Sequence, residues 1–284
     1  MLSRKVETAQ GRVAVLESTG TGMPVLFIHG NSSSGHAFQR QFEADFAKIY
    51  RIIAVDLLGH GQSDNARDPQ QVYSVPGHAA VLIDVLRSLK IHRAALFGWS
   101  LGGHIAIEMI GQGFDAAGIM IVGTPPIRPG LLGMVRGFQT QFDLLLATRG
   151  VLRPHEIERF ARACVGETYA AQFHDAIART HVRARPLLAR GMMTGVGLDQ
   201  RQIIENLPAP VAVVNGAYEP FARLEYLSSL TYRNLWGGHC HIIDGAGHAP
   251  FLTAPEQFNS LLSLFLEDAS RHHADDAEQH RVVA

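Results

Sequence analysis

Continuous apolar runs rich in β-branched residues stand at Val25–Ile28, Ile52–Val55, Ala94–Phe97, Gly118–Val122 and Val211–Val214. Each is short enough for a strand, and an unbroken apolar run means that both faces are covered, as in a parallel sheet packed between helices. Val13–Leu16 alternates weakly and predicts an antiparallel edge strand. Between these runs, Ala79–Leu89 and Ile105–Ile110 repeat their apolar positions at helical period. Strands alternating with helices predict an α/β fold with a mostly parallel, doubly wound sheet.

The alternation stops at Pro125-Pro126, and Pro129-Gly130 prolongs the break. Helical patterns then follow one another over Leu131–Thr148, His155–Val165, Tyr169–Arg183 and Pro186–Met193, with no strand pattern among them. The chain therefore divides into a core over 1–124, a helical cap insertion over 125–207, and a resumed core over 208–268. Residues 269–284 are polar and predict a frayed tail. Leu131, Leu132, Met134, Phe138, Phe142, Met192 and Met193 are the candidates for the inner face of the insertion. Trp99 joins Phe138, Phe142, Met192 and Met193 as a candidate substrate-pocket residue.

Composition narrows the function classes. With 46% apolar and 18% charged residues, the 284-residue chain can bury a full core, and a net charge of −1 lacks the basic footprint of a nucleic-acid binder. No apolar run reaches membrane-spanning length, and no secretory signal pattern opens the chain, so a cytoplasmic location is expected. Cys164 and Cys240 lie far apart with no second cysteine at short spacing, which predicts two reduced thiols and no metal site. His239 and His241 share a strand face but have no further ligands in pattern. No cofactor motif occurs, and the expected partner is a small-molecule substrate. Nothing in the sequence sets an oligomeric state.

The chemistry centres on Gly98-Trp99-Ser100-Leu101-Gly102, between the strand Ala94–Phe97 and the helix that follows. A Gly-x-Ser-x-Gly string is weak evidence in a chain of 28 glycines. Its place on a strand-to-helix turn is what identifies a nucleophile elbow, in which a strained serine presents its hydroxyl and the flanking glycines avoid clashes. His248, one of 15 histidines, stands out by its glycine-rich loop between the strand-like His239–Ile243 and the helix Pro255–Leu266. That loop suits a base reaching across the sheet to Ser100.

These elements, with His29-Gly30-Asn31-Ser32 after one strand, Asp56–Ser63 after the next and Gly245–Phe251 near the end, resemble the signatures of the α/β-hydrolase superfamily. The resemblance covers nearly all of residues 11 to 268. It implies a serine hydrolase acting through an acyl-enzyme, with the backbone amides of Asn31 and Leu101 as the oxyanion hole. It also implies a third triad member after the strand Val211–Val214, where Glu219 stands in a position at which most relatives carry Asp. Asp199 and Asp244 are lesser candidates. Asp56–Ser63 is assigned to turn architecture.

The serine nucleophile argues against branches that use a carboxylate, and the expected substrates are small carboxylic esters or lactones. Cleavage of carbon–carbon bonds in ring-fission products, a cofactor-free oxygenase or perhydrolase, and a slow-turnover ligand receptor are the alternatives on the same fold. Arg183, Arg185 and Arg190 in the insertion offer a substrate-carboxylate site or, as the plainer expectation, a solvated helix face.

Overall fold

The computed structural model describes the backbone of residues 1–282 and the side chains through residue 271. Eight strands form one sheet: β1 (Leu2–Thr8), β2 (Gly11–Glu17), β3 (Pro24–Ile28), β4 (Arg51–Val55), β5 (Arg93–Trp99), β6 (Asp115–Val122), β7 (Val211–Gly216) and β8 (His241–Ile243), in the order β1-β2-β4-β3-β5-β6-β7-β8. The pairs from β4 to β8 are parallel, and β2 runs antiparallel to both of its neighbours.

Alternating side chains divide the apolar strands between two cores. On β3, Leu26 and Ile28 pack with helices α1 (Val75–Ser88) and α2 (Leu101–Gly111), while Val25 and Phe27 face the opposite layer of Phe38, Phe251, Phe258 and Phe265. Apart from the edge strand β8, the parallel strands are buried on both faces, which is why they read as unbroken apolar runs.

Three differences from the sequence expectation have physical causes. Val13–Leu16 belongs to β2 but is not the edge, because β1 pairs outside it along its whole length. Six of the seven β1 residues are not buried, so no apolar alternation marks that strand. The polar stretch from 269 continues a helix that runs over Pro255–Val282, rather than fraying from residue 269; residues 283 and 284 lie outside the described residues.

The third difference lies in the segment between β6 and β7. It carries helices α3 (Leu131–Gly137), α4 (Pro154–Val165), α5 (Ala170–Arg179), α6 (Ala184–Thr194) and α7 (Gln200–Asn206), and no named strand among the described residues. Leu131–Thr148 is not one helix, however. α3 ends at Gly137, the chain extends through Phe138, and a 3-10 turn occupies Phe142–Thr148. Backbone bonds to the loop after β7 compete with helix continuation there: Gln139 N–H donates to Phe221 O at 2.7 Å, and Arg223 N–H donates to Gly137 O at 2.8 Å. The break rotates Phe142 away from the face of Phe138 and leaves it 82% exposed, with Leu131 and Leu132 also exposed.

Arg185 on α6 ties this segment together and to the core. It is 2% exposed, so it is not part of a solvated face, while Arg183 and Arg190 are exposed. Its guanidinium donates to the carbonyls of Arg149, Gly150 and Ile177 and to Ser32 Oγ in the loop after β3. Burial lowers its pKa to about 10, which still leaves it a cation at neutral pH. Every nitrogen is thus spent on protein acceptors, and none is turned toward a ligand carboxylate. Arg185→Ala strips the donors from three carbonyls and one hydroxyl. It is expected to lower stability by about 2–4 kcal/mol in denaturant unfolding, against less than about 0.5 kcal/mol for the exposed Arg190→Ala.

Candidate active site

β5 ends at Trp99 and α2 begins at Leu101, which leaves Ser100 alone to turn the chain at φ 54° and ψ −117°. A positive φ costs a non-glycine residue of the order of 1–3 kcal/mol and is held here by its surroundings. Ser100 N–H donates to Val122 O at 2.7 Å, and Thr124 Oγ1 donates to Ser100 O at 2.8 Å. The helix can approach the sheet this closely because Gly98 and Gly102 lack side chains. A Cβ at Gly98 would lie 2.4 Å from Gly103 Cα, and one at Gly102 would lie 2.0 Å from Ile28 O.

His248 sits in the loop after β8 and is buried. Trp99 Nε1 donates to its carbonyl at 2.9 Å, and the ring of Phe221 stands perpendicular to the imidazole with centroids 4.7 Å apart. Its Nδ1 lies 2.8 Å from both carboxylate oxygens of Glu219. A carboxylate accepts only, so Nδ1 carries a proton and donates it to Glu219. Ser100 and His248 line one cavity of about 40 Å³, together with Gly30, Asn31, Phe160 and Cys164.

Glu219 is 4% exposed, yet it is held as an anion. Burial pushes its carboxyl up, but the facing His248 and the amides of Ala222 and Phe221 outweigh burial, and its pKa falls below the usual value. The two amides donate to Oε1 at 3.1 and 2.8 Å. Gln139, from the break between α3 and the 3-10 turn, clasps the same loop by donating to the carbonyls of Glu219 at 2.9 Å and Ala222 at 3.2 Å. The loop after β6 offers no room for an acid. Gly123 has φ +60°, and a Cβ there would stand 2.4 Å from His248 Cε1. Asp199 caps α7 through Gln202 N–H, and Asp244 is exposed; neither meets His248.

Asn31 follows β3 and Leu101 opens α2, and both line a second, apolar lobe of about 100 Å³ beside Ser100. The Asn31 side chain is engaged elsewhere, donating to Ala147 O at 3.2 Å and accepting from Ser32 Oγ. Phe138 and Met192 line this lobe, and Trp99 and Phe138 line the lobe beside His248. Phe142 and Met193 line neither. Phe142 is turned out by the break after α3, and Met193 lies one residue, about 100° of helix, from the inward Met192 and is 46% exposed. Leu144, Ala147, Leu188, Phe160, Cys164, Phe221 and His104 also line the lobes without having been marked by the sequence. A single small or apolar residue carries no chemical signature, and His104 is simply the fourth residue beyond Ser100.

Asp56 belongs to turn architecture, its two oxygens accepting from the amides of Gly35 and Gln62. His29 also has a structural role, its Nε2 accepting from Leu57 N–H at 3.0 Å. His29, His60, His78 and His104 are all buried. Burial is the leading cause that lowers each of their pKa values, to about 3 for His78 and about 4 for His104. Cys164 and Cys240 are free thiols, and burial raises both, so neither is a ready nucleophile. Among the described residues, no group of three or more His, Cys, Asp or Glu is placed to hold a metal, and no helix is long and apolar enough to cross a membrane.

Two expectations follow. Glu219→Gln keeps the shape of the side chain but removes the charge that faces His248, so turnover is expected to fall at least about a hundredfold with a small change in KM, measured by steady-state kinetics. Separately, the buried histidines stay neutral in the native chain while the unfolded chain protonates them below about 6.5. A folded-state pKa below the unfolded one leaves full stability above pH 6.5 and removes it as pH falls, toward about 3 for His78. The loss runs at up to about 1.4 kcal/mol per pH unit for each histidine. Unfolding free energies at pH 7 and pH 5 should therefore differ by about 2 kcal/mol less in His78→Phe than in the parent chain.

Comparison with known proteins identifies the family and the fold. The model of the alpha/beta hydrolase family matches residues 25–261. The crystal structure of the N-acyl homoserine lactonase AidH complexed with N-butanoyl homoserine superposes with a TM-score of 0.92 at 43% identity, over 95% of this chain and 97% of that one. Structures of that lactonase also exist as a serine-to-glycine variant with N-hexanoyl homoserine lactone and a glutamate-to-glycine variant with N-hexanoyl homoserine. The pimeloyl-[acyl-carrier protein] methyl ester esterase of Methylococcus capsulatus is 28% identical over 88% of this chain and 97% of its own. The 2-hydroxymuconate semialdehyde hydrolase of Pseudomonas sp. CF600 is 27% identical over 89% and 90%. The chain is an enzyme of the alpha/beta hydrolase family, with esterases and lactonases among its relatives.

Proposed function

We propose that this enzyme is a serine hydrolase that opens N-acyl homoserine lactones through an acyl-enzyme, with Ser100 as nucleophile, His248 as base and Glu219 as the acid that orients it. The observation that carries the reading is the convergence of a strained serine and a carboxylate-oriented histidine on one small apolar cavity, in a chain 43% identical to a lactonase over nearly its whole length. A serine-to-glycine variant of that lactonase was seen with the closed lactone, which supports a serine as the residue that opens the ring.

In this reading His248 Nε2 takes the Ser100 hydroxyl proton as Oγ attacks the lactone carbonyl. The amides of Asn31 and Leu101 receive the oxyanion, where one donor is worth about 3 kcal/mol in the transition state. The carbon–oxygen bond of the ring breaks, the ring oxygen takes the proton from His248, and the new hydroxyl stays tethered to the acyl-enzyme. A water that gives its proton to His248 then attacks the ester and releases the hydroxy acid and Ser100. Residues 125–207 act as the cap that closes the cavity over the core of 1–124 and 208–268. A cytoplasmic setting, where both cysteines stay reduced, belongs to the same reading.

Carbon–carbon cleavage of acidic ring-fission products fits less well. Neither lobe is lined by Lys or Arg, and Arg185 is spent on carbonyls. A neutral lactone suits such a cavity. Titration of the acid released from N-hexanoyl homoserine lactone tests the proposal. The parent enzyme should release one equivalent per lactone, and Ser100→Ala should lose at least about a thousandfold in kcat while unfolding at an unchanged temperature. Turnover by Ser100→Ala within about tenfold of the parent would sink the nucleophile. Methyl-ester cleavage without lactone opening would sink the substrate class.

A further inference from the structure

His104 lies on α2 one turn beyond Ser100, its N–H directed to Ser100 O at 3.4 Å, and its ring lines the larger lobe. The chemistry above leaves it unused, yet its protonation state is fixed by its neighbours. Gln200, the first residue of α7, donates from Nε2 to the backbone carbonyl of His104 at 3.4 Å. A carbonyl can only accept, so this contact sets which end of the amide is which. The amide oxygen of Gln200 then lies 2.7 Å from His104 Nδ1, which must carry the proton. Nε2 is left as an acceptor with no hydrogen-bond partner among the described residues, and it is not sealed from the cavity that the ring lines. The whole residue is 2% exposed, and the ring of Phe138 packs against it with centroids 5.8 Å apart. Desolvation keeps the imidazole neutral well below physiological pH.

Ser100 lines the same lobe, but the chemistry proposed above gives its hydroxyl proton to His248, and the other lining side chains offer this atom no donor. Met134, Leu144, Leu188 and Met192 are apolar, the Asn31 amide is engaged, and Thr148 Oγ1 donates to Leu145 O. An acceptor open only to an apolar lobe takes its hydrogen bond from whatever fills that lobe, so a ligand that displaces water without bringing a donor loses the bond, and one that brings a donor keeps it. His104 follows the nucleophile by one turn of the same helix and lines the same lobe, so a ligand whose carbonyl meets Ser100 brings the groups on the neighbouring carbon to the side of the lobe where His104 stands. We propose that His104 Nε2 accepts a hydrogen bond from an N–H on that carbon, so that the enzyme selects α-acylamino lactones and esters over their α-acyloxy counterparts. For lactones this deepens the function proposed above and rests on it; for linear esters it stands by itself.

The test compares kcat/KM for two matched pairs in which oxygen replaces N–H. One pair is N-hexanoyl homoserine lactone and α-hexanoyloxy-γ-butyrolactone; the other is methyl N-hexanoylglycinate and methyl hexanoyloxyacetate. The parent enzyme should favour the acylamino member by at least about tenfold, and His104→Phe should bring the ratio to within about threefold of one. His104→Gln, which returns an acceptor oxygen, should recover part of it. If His104→Phe does not fold, Gln200→Leu, which releases the tautomer without lining the lobe, should lower the ratio instead. A parent ratio near one, or a ratio unchanged in the folded variant, overturns the assignment. Cleavage of the linear esters without lactone opening rejects the lactone reading alone, and the ester pair then decides for His104.

Discussion

A side chain held at φ 54° between a strand and a helix sets the terms for everything around it. The strain at Ser100 persists because the start of α2 is pressed against the ends of β3 and β5, closer than a side chain at position 98 or 102 would permit. That close approach points the first turn of α2, with its unpaired amides and positive dipole end, at the space above the serine. It also requires β3, β5 and β6 to lie side by side and parallel, so that their carboxyl ends open on one crevice, as in other sheets of this class. The sheet order and the two buried cores are the apparatus that keeps one hydroxyl presented.

The imidazole beside it is controlled from three directions. Trp99, next to the serine, holds the His248 carbonyl; Phe221 stands on the ring face; and Glu219 fixes the tautomer. The bare Gly123 clears the space against the ring on the β6 side, and the carboxylate that meets Nδ1 comes from the loop after β7. There the longer glutamate reaches Nδ1 while its own backbone is clasped by Gln139. The helical segment between β6 and β7 is therefore tied to the Glu219 loop, because the break after α3 that exposes Phe142 also places Gln139 against it. An anion kept charged at 4% exposure requires such support, since two amides and an imidazole must replace its lost hydration.

What the sequence displayed and what it concealed follow from the range of the forces involved. The buried strands, the elbow and the histidine loop were legible, because local composition reflects double-sided burial and the glycines mark a steric demand within five residues. Glu219 was legible as a position, though its pairing with His248 spans 29 residues and is visible only in three dimensions. β1 was hidden because a sheet edge exposes both faces and needs no apolar alternation. The break after α3 was hidden because the bonds of Gln139 and Arg223 that end the helix come from partners about 80 residues away. The burial of Arg185 is hidden for a similar reason: a buried arginine bonded to carbonyls has the same sequence context as a solvated one.

The same economy of charge runs through the whole interior near the serine. Arg185 is neutralised in effect by carbonyl dipoles, Glu219 by amides and an imidazole, and His29, His60, His78 and His104 by giving up their protons. What remains beside the serine includes the opening amides of α2, which are uncharged dipoles of fixed direction. Dipoles that are already oriented need no reorganisation when charge develops on a reacting oxygen, and in a dry apolar surround they act more strongly than they would in water. A site built this way gains little from a charged substrate, which would have to shed its hydration against apolar walls. It gains most from a neutral one whose carbonyl becomes charged only in the transition state. Esters and lactones have that property, and a neutral ring with one well-placed N–H has it with the added discrimination that a fixed acceptor supplies.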